Sequence, residues 1–364
     1  MELKIKTTEL QDMVSKSIQC ASNNKLIPIT SLMNIQVKNN TLTLTTTDAT
    51  NYFYVSSLEK VLCDDFEISV MADLFTKLVQ KTTSDFITLI IDEHVLKVKG
   101  NGTYTMELPL DENGNIIKFP VKYNSDDLRP DSGIVKLSTV KTILNFNKPS
   151  LAVSVEYPAL TCYYCGDAVV TSDRTKICST DIKMFDEPML ISSQLMELLG
   201  VMSNEDINVS ATDTDVIFET PTERVYSPKT EGIETFPIDA INGLVNQEFP
   251  SNCTISRQAV LSVLDRLSLF VSPYDNRGIY LTFTKDGLTF SSKKSSGTEL
   301  VPYSSSYNFM DYTCCIDIEM FRSQIATQDD ELINLSYGID NSVKMKTKNI
   351  TQIVALSVDD RVEG

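Results

Sequence analysis

Residues 66–100, "FEISVMADLFTKLVQKTTSDFITLIIDEHVLKVKG", change hydrophobic period partway along. Met71, Leu74, Phe75 and Leu78 recur at helical spacing and predict a short amphipathic helix with one apolar stripe. From Ile87 the apolar residues alternate as in a strand, and Glu93-His94 reads as the turn into a second strand. The same helix-then-strands order returns in 188–220, "PMLISSQLMELLGVMSNEDINVSATDTDVIFET", and in 314–347, "CCIDIEMFRSQIATQDDELINLSYGIDNSVKMKT". Their first strands after the helix align at Ile87, Ile207 and Ile333, which lie 120 and 126 residues apart.

A second pattern precedes each of these stretches. "TTELQDMVSKSIQCA", "LSTVKTILNFN" and "ISRQAVLSVLDRLSLFV" are helical, and the strand pairs "MNIQVKNNTLTLTTTD", "ALTCYYCGDAVVTSD" and "GIYLTFTKDGLTFSS" follow them in order. Leu10, Met13, Val14 and Ile18 make one stripe, and Val260, Leu264, Leu267 and Val271 another. Thr8 with Gln11 fits a capping box. A fixed long period signals a repeat architecture. The fold class is therefore α+β in three similar domains, at 1–115, 125–245 and 250–364, each with two helices (8–20 and 71–81, 138–147 and 192–202, 256–271 and 317–326) and antiparallel strands. Linkers fall near 111–134 and 227–252, and each holds a Phe-Pro pair, Phe119-Pro120 and Phe236-Pro237.

Composition narrows the function. The 364 residues are 42% apolar, with no continuous apolar run of the roughly 20 residues a membrane helix needs. The amino terminus "MELKIKTTELQD" has no secretory apolar stretch, so the expected location is the cytoplasm. A single histidine, His94, argues against a multi-histidine metal site and a Ser-His-Asp triad. Cys162 and Cys165 form a C-x-x-C, but on a strand residues three apart point to opposite faces. With no second C-x-x-C, the eight cysteines read as reduced packing residues; no metal site and no cofactor are expected.

Lys and Arg total 32 against 49 Asp and Glu, a net charge of −17, so the average surface repels phosphate. The six expected helices depart from that average. They carry Lys16, Lys77, Lys81, Lys141, Arg257, Arg266 and Arg322 against seven acidic residues, and the rest of the chain carries all of the net charge.

"NNKLIPITSLMNIQVKNNTLTLTTTDATNYFYV" (23–55), "VVTSDRTKICS" (169–179) and "DNRGIYLTFTKDGLTFSS" (275–292) resemble, in order, segments of the three domains of the bacterial DNA polymerase III beta subunit, the sliding clamp. That resemblance implies a non-enzymatic processivity factor, a head-to-tail homodimeric ring with helices lining a hole around double-stranded DNA. The seven basic helix residues would then face DNA. It further implies a replicative DNA polymerase, a clamp loader ATPase and other clamp-binding peptides as partners, and no membrane. Partner peptides would enter a cleft between the second and third domains at Ser172, Arg174, Thr175, Lys176, Ile177, Pro237, Leu244, Val354, Ala355 and Leu356. Tyr104 and Met106 would meet Phe270 and Val271 of the second copy.

Two departures stand out: Arg174-Thr175-Lys176 replaces the family's Gly-His-Arg, and "QIVALS" runs on into an acidic "VDDRVEG". Such drift points to a phage or mobile-element clamp. A three-domain β-rich binding or structural module remains the alternative from the residues alone, and a C-x-x-C redox or zinc enzyme a further one.

Overall fold

The computed structural model describes residues 1–24, 26–120, 133–154, 156–271, 277–293 and 296–358. The acidic tail from Asp359, half of the first linker and Asp275-Asn276 of the third-repeat hairpin lie outside them. Seven α-helices are described: α1 Thr7–Ser17, α2 Ala72–Gln80, α3 Leu137–Asn147, α4 Ser193–Gly200, α5 Ile238–Val245, α6 Arg257–Leu267 and α7 Ile318–Thr327. None is long and apolar enough to cross a membrane.

Contacts divide the chain into two compact units, Met1–Val140 with Gln194–Lys229, and Lys141–Ser193 with Thr230–Gly364. The first unit holds a four-stranded sheet in the order Glu2–Lys6, Phe86–Asp92, Val95–Lys99, Thr103–Glu107. Its eight-stranded sheet runs Phe66–Met71, Leu32–Lys38, Thr41–Thr47, Tyr52–Ser56, Glu223–Pro228, Asp215–Glu219, Asp206–Ala211, Ile134–Lys136. The second unit repeats the scheme. Its nine-stranded sheet runs Met189–Ser192, Cys162–Cys165, Val169–Ser172, Lys176–Thr180, Ile350–Ala355, Ser342–Lys346, Leu332–Ile339, Ser251–Ser256, Tyr303–Tyr307. Its four-stranded sheet runs Thr298–Val301, Gly287–Ser292, Gly278–Thr284, Tyr312–Asp317. Every pairing between these strands is antiparallel.

The division cuts across the sequence repeats. Tyr52–Ser56 of the first repeat pairs with Glu223–Pro228 of the second, and Lys176–Thr180 of the second pairs with Ile350–Ala355 of the third. The middle repeat thus gives one half to each unit.

Local chemistry accounts for the helices. Asp317 caps α7 by accepting from the backbone N–H groups of Glu319 (2.8 Å) and Met320 (2.9 Å). Ser256 caps α6 by accepting from Ala259. The expected capping box at Thr8 and Gln11 does not form: α1 starts at Thr7, and Gln11 Nε2 instead donates to the carbonyls of Val79 (3.1 Å) and Thr82 (2.9 Å) at the end of α2. The stripe expected on the second helix is also rotated. Ala72, Phe75, Thr76 and Val79 are buried, whereas Met71 and Leu74 are 45% and 56% exposed. α2 begins one residue later than the periodicity placed it, and Phe75 and Val79 one turn apart carry the packing.

In the third repeat α6 and α7 bury Val260, Leu264, Phe321 and Ile325 among Ile279, Phe283, Leu335 and Met345. Phe283 stacks on Tyr337 with ring centroids 3.8 Å apart. Cys162 and Cys165 lie on one strand, as the alternation implied. Cys162 joins the cluster around Leu160, while Cys165 sits 3.8 Å from the Met184 sulfur. None of the eight cysteines is in a disulfide.

One buried ion pair ties the two repeats of the first unit. The fully buried Glu223 carboxylate lies 3.0 Å from Lys16 Nζ and accepts from Ser203 N–H (3.1 Å) and Thr220 Oγ1 (2.9 Å). Burial alone would raise the Glu223 carboxyl, but these donors hold it below its ordinary value of 4.5. Burial likewise opposes the Lys16 charge, and the bonds to Asp12 and Glu223 outweigh it, leaving its value raised. Glu223 therefore contributes stability above pH 4.5, which is lost as pH falls through its depressed folded value. Glu223→Ala should cost about 3 kcal/mol in urea unfolding by leaving Lys16 with half its partners, and should flatten the acid limb of the stability profile. An unchanged acid limb would remove Glu223 from that role.

Candidate functional site

The cleft positions named from the sequence all lie in the second unit. They gather around the turn between Val169–Ser172 and Lys176–Thr180. Asp173 Oδ1 accepts from the backbone N–H groups of Thr175 (2.9 Å) and Lys176 (2.7 Å), and Ser172 Oγ accepts from Arg174 N–H at 3.1 Å. The aspartate thereby acts as the turn's own template. Arg174 adopts a left-handed φ of 78° and rests its guanidinium 4.5 Å over the Tyr157 ring. Lys176 does not project: its ammonium donates to Pro149 O at 2.5 Å and pairs with Asp173 at 3.2 Å.

Strand register builds the floor. Ile177 faces Ile353 across the sheet, and both join Leu160, Cys162, Phe236 and Ile241 in one buried cluster. Tyr164, Ile233, Ile238 and Leu244 pack around it, partly exposed, and Tyr164 stacks on Phe236 with centroids 5.1 Å apart. Gly232, at φ 83°, starts the short turn Ile233–Thr235 that leads into α5, a backbone state glycine adopts without strain. Arg174, Thr175 and Pro237 are exposed, and Leu244 and Ala355 half-buried. Val354 is different. It points to the opposite sheet face, fully buried in the third repeat's core, and Leu356 packs at that core's margin. Sequence reasoning named Val354 and missed Ile353, Phe236 and Tyr164. Strand alternation from Ile177 to its partner strand was the signal for Ile353.

The same arrangement occurs in the first unit. Tyr52 faces Tyr226 where Ile177 faces Ile353, and Phe119 stands where Phe236 does, with Leu32 beneath. There the floor is aromatic.

The basic helix residues have unequal surroundings. In the first unit Lys16 is 17% exposed and bound to Asp12 and Glu223, Lys77 pairs with Asp73 at 2.7 Å, and Lys81 is exposed with no ion-pair partner among the described residues. In the second unit Lys141 is likewise exposed and without an ion-pair partner among the described residues. Arg257 donates to the carbonyls of Ile325 and Ala326 at the end of α7. Arg266 forms a two-pronged pair with Glu299, and Arg322 pairs with Asp265. Of the expected subunit contacts, Tyr104 is 49% and Phe270 54% exposed, whereas Met106 is buried in its own sheet and Val271 packs on its own core. Thr103–Glu107 and Thr298–Val301 are both edge strands.

This architecture, helices packed on antiparallel sheets in a repeating order, is the DNA clamp fold. The Bacillus subtilis DNA polymerase sliding clamp superposes with a TM-score of 0.86 at 14% identity, covering 99% of each chain. The DNA polymerase III beta subunit of Borrelia burgdorferi, solved in complex with a natural product, gives 0.84 at 17% identity over 98% of this chain and 99% of that one. The beta subunit of Thermotoga maritima gives 0.84 at 14%, with 98% and 99% covered. Residues 1–115 match the family described as DNA polymerase III beta subunit, N-terminal domain, so the resemblance drawn from residues 23–55 holds there at the level of family and along the whole chain at the level of fold. No curated protein matches the sequence.

One further contact holds the carboxyl end of α5. Lys344 Nζ donates to Val245 O (3.1 Å) and Gln247 O (2.5 Å) at the carboxyl end of α5, and lies 4.8 Å over the Phe249 ring. A cation there complements the helix dipole. Lys344→Met should cost about 1.5 kcal/mol and speed amide exchange across Ile238–Gln247. Unchanged exchange in that segment would show that α5 is held by its apolar face alone.

Proposed function

We propose that this chain is a DNA sliding clamp, a processivity factor with no chemistry of its own, working as a head-to-tail dimeric ring on duplex DNA and tethering a replicative polymerase through the cleft beside Phe236-Pro237. The observation that carries the proposal is the end-to-end coincidence with the clamp fold, 99% of both chains at a TM-score of 0.86. The three-domain division at 1–115, 125–245 and 250–364 belongs to this reading, each domain being one repeat.

The charge distribution fits such a mechanism. A protein of net charge −17 gains little from bulk attraction to phosphate. An enclosing ring holds DNA by topology, and loose, water-bridged phosphate contacts permit sliding. Lys81 and Lys141, free of carboxylates among the described residues, and Lys77, whose pair with Asp73 is exposed to solvent, are the cations suited to that contact. Lys16, Arg257, Arg266 and Arg322 serve protein contacts first. Ring closure would pair the edge strand Thr103–Glu107 with Thr298–Val301 of the second copy, covering Tyr104 and Phe270 and hiding two edges that otherwise invite aggregation. The sequence has no G-x-x-x-x-G-K-[ST] loop, so opening the ring would fall to a separate loader ATPase.

Light scattering at micromolar concentration should give twice the 40.7 kDa chain mass. Protein loaded on nicked circular duplex should stay bound through gel filtration and be released when the circle is cut. Lys81→Glu with Lys141→Glu should weaken binding to DNA at low salt about three- to ten-fold without changing the mass. A strict monomer, or retention that survives cutting, returns the chain to the class of β-rich binding modules.

A further inference from the structure

We infer that the partner segment taken by this cleft carries a basic residue beside its apolar anchors, and that Glu234 and Asp239 select it. The inference rests on the cleft reading above and refines it. A shallow depression beside Pro237 is lined by Tyr164, Ile233, Phe236 and Ile238, and Glu234 and Asp239 line it as well. Both acids are exposed, and neither forms an ion pair among the described residues. No Lys or Arg occurs anywhere from Thr230 to Ser256, while Glu231, Glu234, Asp239 and Glu248 do. Three cations of the same unit are committed elsewhere. Lys344 is bonded at the far end of α5, Lys176 to Pro149 and Asp173, and Arg174 to the Tyr157 face.

Asp239 in the first turn of α5 also suits the helix dipole. That accounts for one acid and leaves Glu234 and the missing counter-charges over the whole segment unexplained. A stacked aromatic pair, Tyr164 on Phe236, next to two free carboxylates is the environment that receives an arginine: the planar head lies on a ring, the stem on apolar surface, and the charge meets the carboxylates. The charge lining this depression is thus anionic, at Glu234 and Asp239. A docking segment is oriented by charge as well as anchored by its apolar side chains.

The test uses the full chain and fluorescein-labelled peptides sharing a Gln-Leu-Ser-Leu-Phe core, flanked on both sides by Arg, Gln or Glu, in anisotropy titrations. The Arg-flanked peptide should bind about three- to five-fold tighter than the Gln-flanked one, the size of a favourable exposed ion pair, and the Glu-flanked peptide weaker still. The Arg advantage should shrink in high salt and vanish in the Glu234→Gln, Asp239→Asn double variant. Equal affinity for all three peptides overturns the inference and leaves the cleft standing. An Arg advantage that persists in the double variant removes Glu234 and Asp239 from the role. Failure of all three to bind overturns the cleft reading with it, and the circular-DNA experiment then judges the ring independently.

Discussion

Two strand pairings carry the architecture: Tyr52–Ser56 against Glu223–Pro228, and Lys176–Thr180 against Ile350–Ala355. Without them each repeat would end in an open sheet edge, and the units would lose their largest sheets. Hydrogen bonds along a strand fix register, and register fixes which side chains meet. Ile177 meets Ile353, and not Val354, because the pairing is offset that way; a slip of one residue would send Ile353 into the third core and empty the cleft floor. Buried polar groups reinforce the same seams. Glu223 and Lys16 join the first pair of repeats, while Gln352 is hydrogen-bonded to Gln328 and to Thr327 beside the second. Such groups tolerate one arrangement only, since displacement would leave them unsatisfied away from water.

Charge is handled in the same economical way. Most helix cations answer a carboxylate or a helix end, so the acidic excess is not simply offset by a basic surface. The helices contribute near-neutrality more than attraction. For the proposed clamp, which would travel along a polyanion, near-neutrality is the useful property, because each strong phosphate contact would have to be broken at every step.

The repeat, and with it the fold, was legible because hydrophobic periodicity is imposed by burial and survives wherever a core survives. Six of the seven helices fall where the pattern placed them, within four residues at each end. The helix α5 was hidden inside what read as a linker, since eight residues with Gly243 in the middle give a weak helical signature. Site details were less legible for a related reason. Alternation tells that Ile353 and Val354 face apart, but not which of two apolar clusters each enters. Nor does residue type tell whether a lysine meets solvent or, like Lys16, a buried carboxylate two hundred residues away. Gln11 could pass for a cap because the cap needs only local sequence, whereas its real partners are in α2.

The interleaving of the two units has a consequence for synthesis. Residues 52–56 wait for 223–228, and 176–180 for 350–355, so neither large sheet can be completed early as the chain leaves the ribosome. The strand 176–180 in particular is made long before its neighbour and must spend that interval with one edge bare. Long-range pairing of this kind slows folding and lengthens the time a nascent chain is exposed to wrong partners. The strand left waiting, 176–180 (KICST), carries lysine, serine and threonine and is less adhesive than a run of valine and isoleucine, which lowers the hazard of that interval.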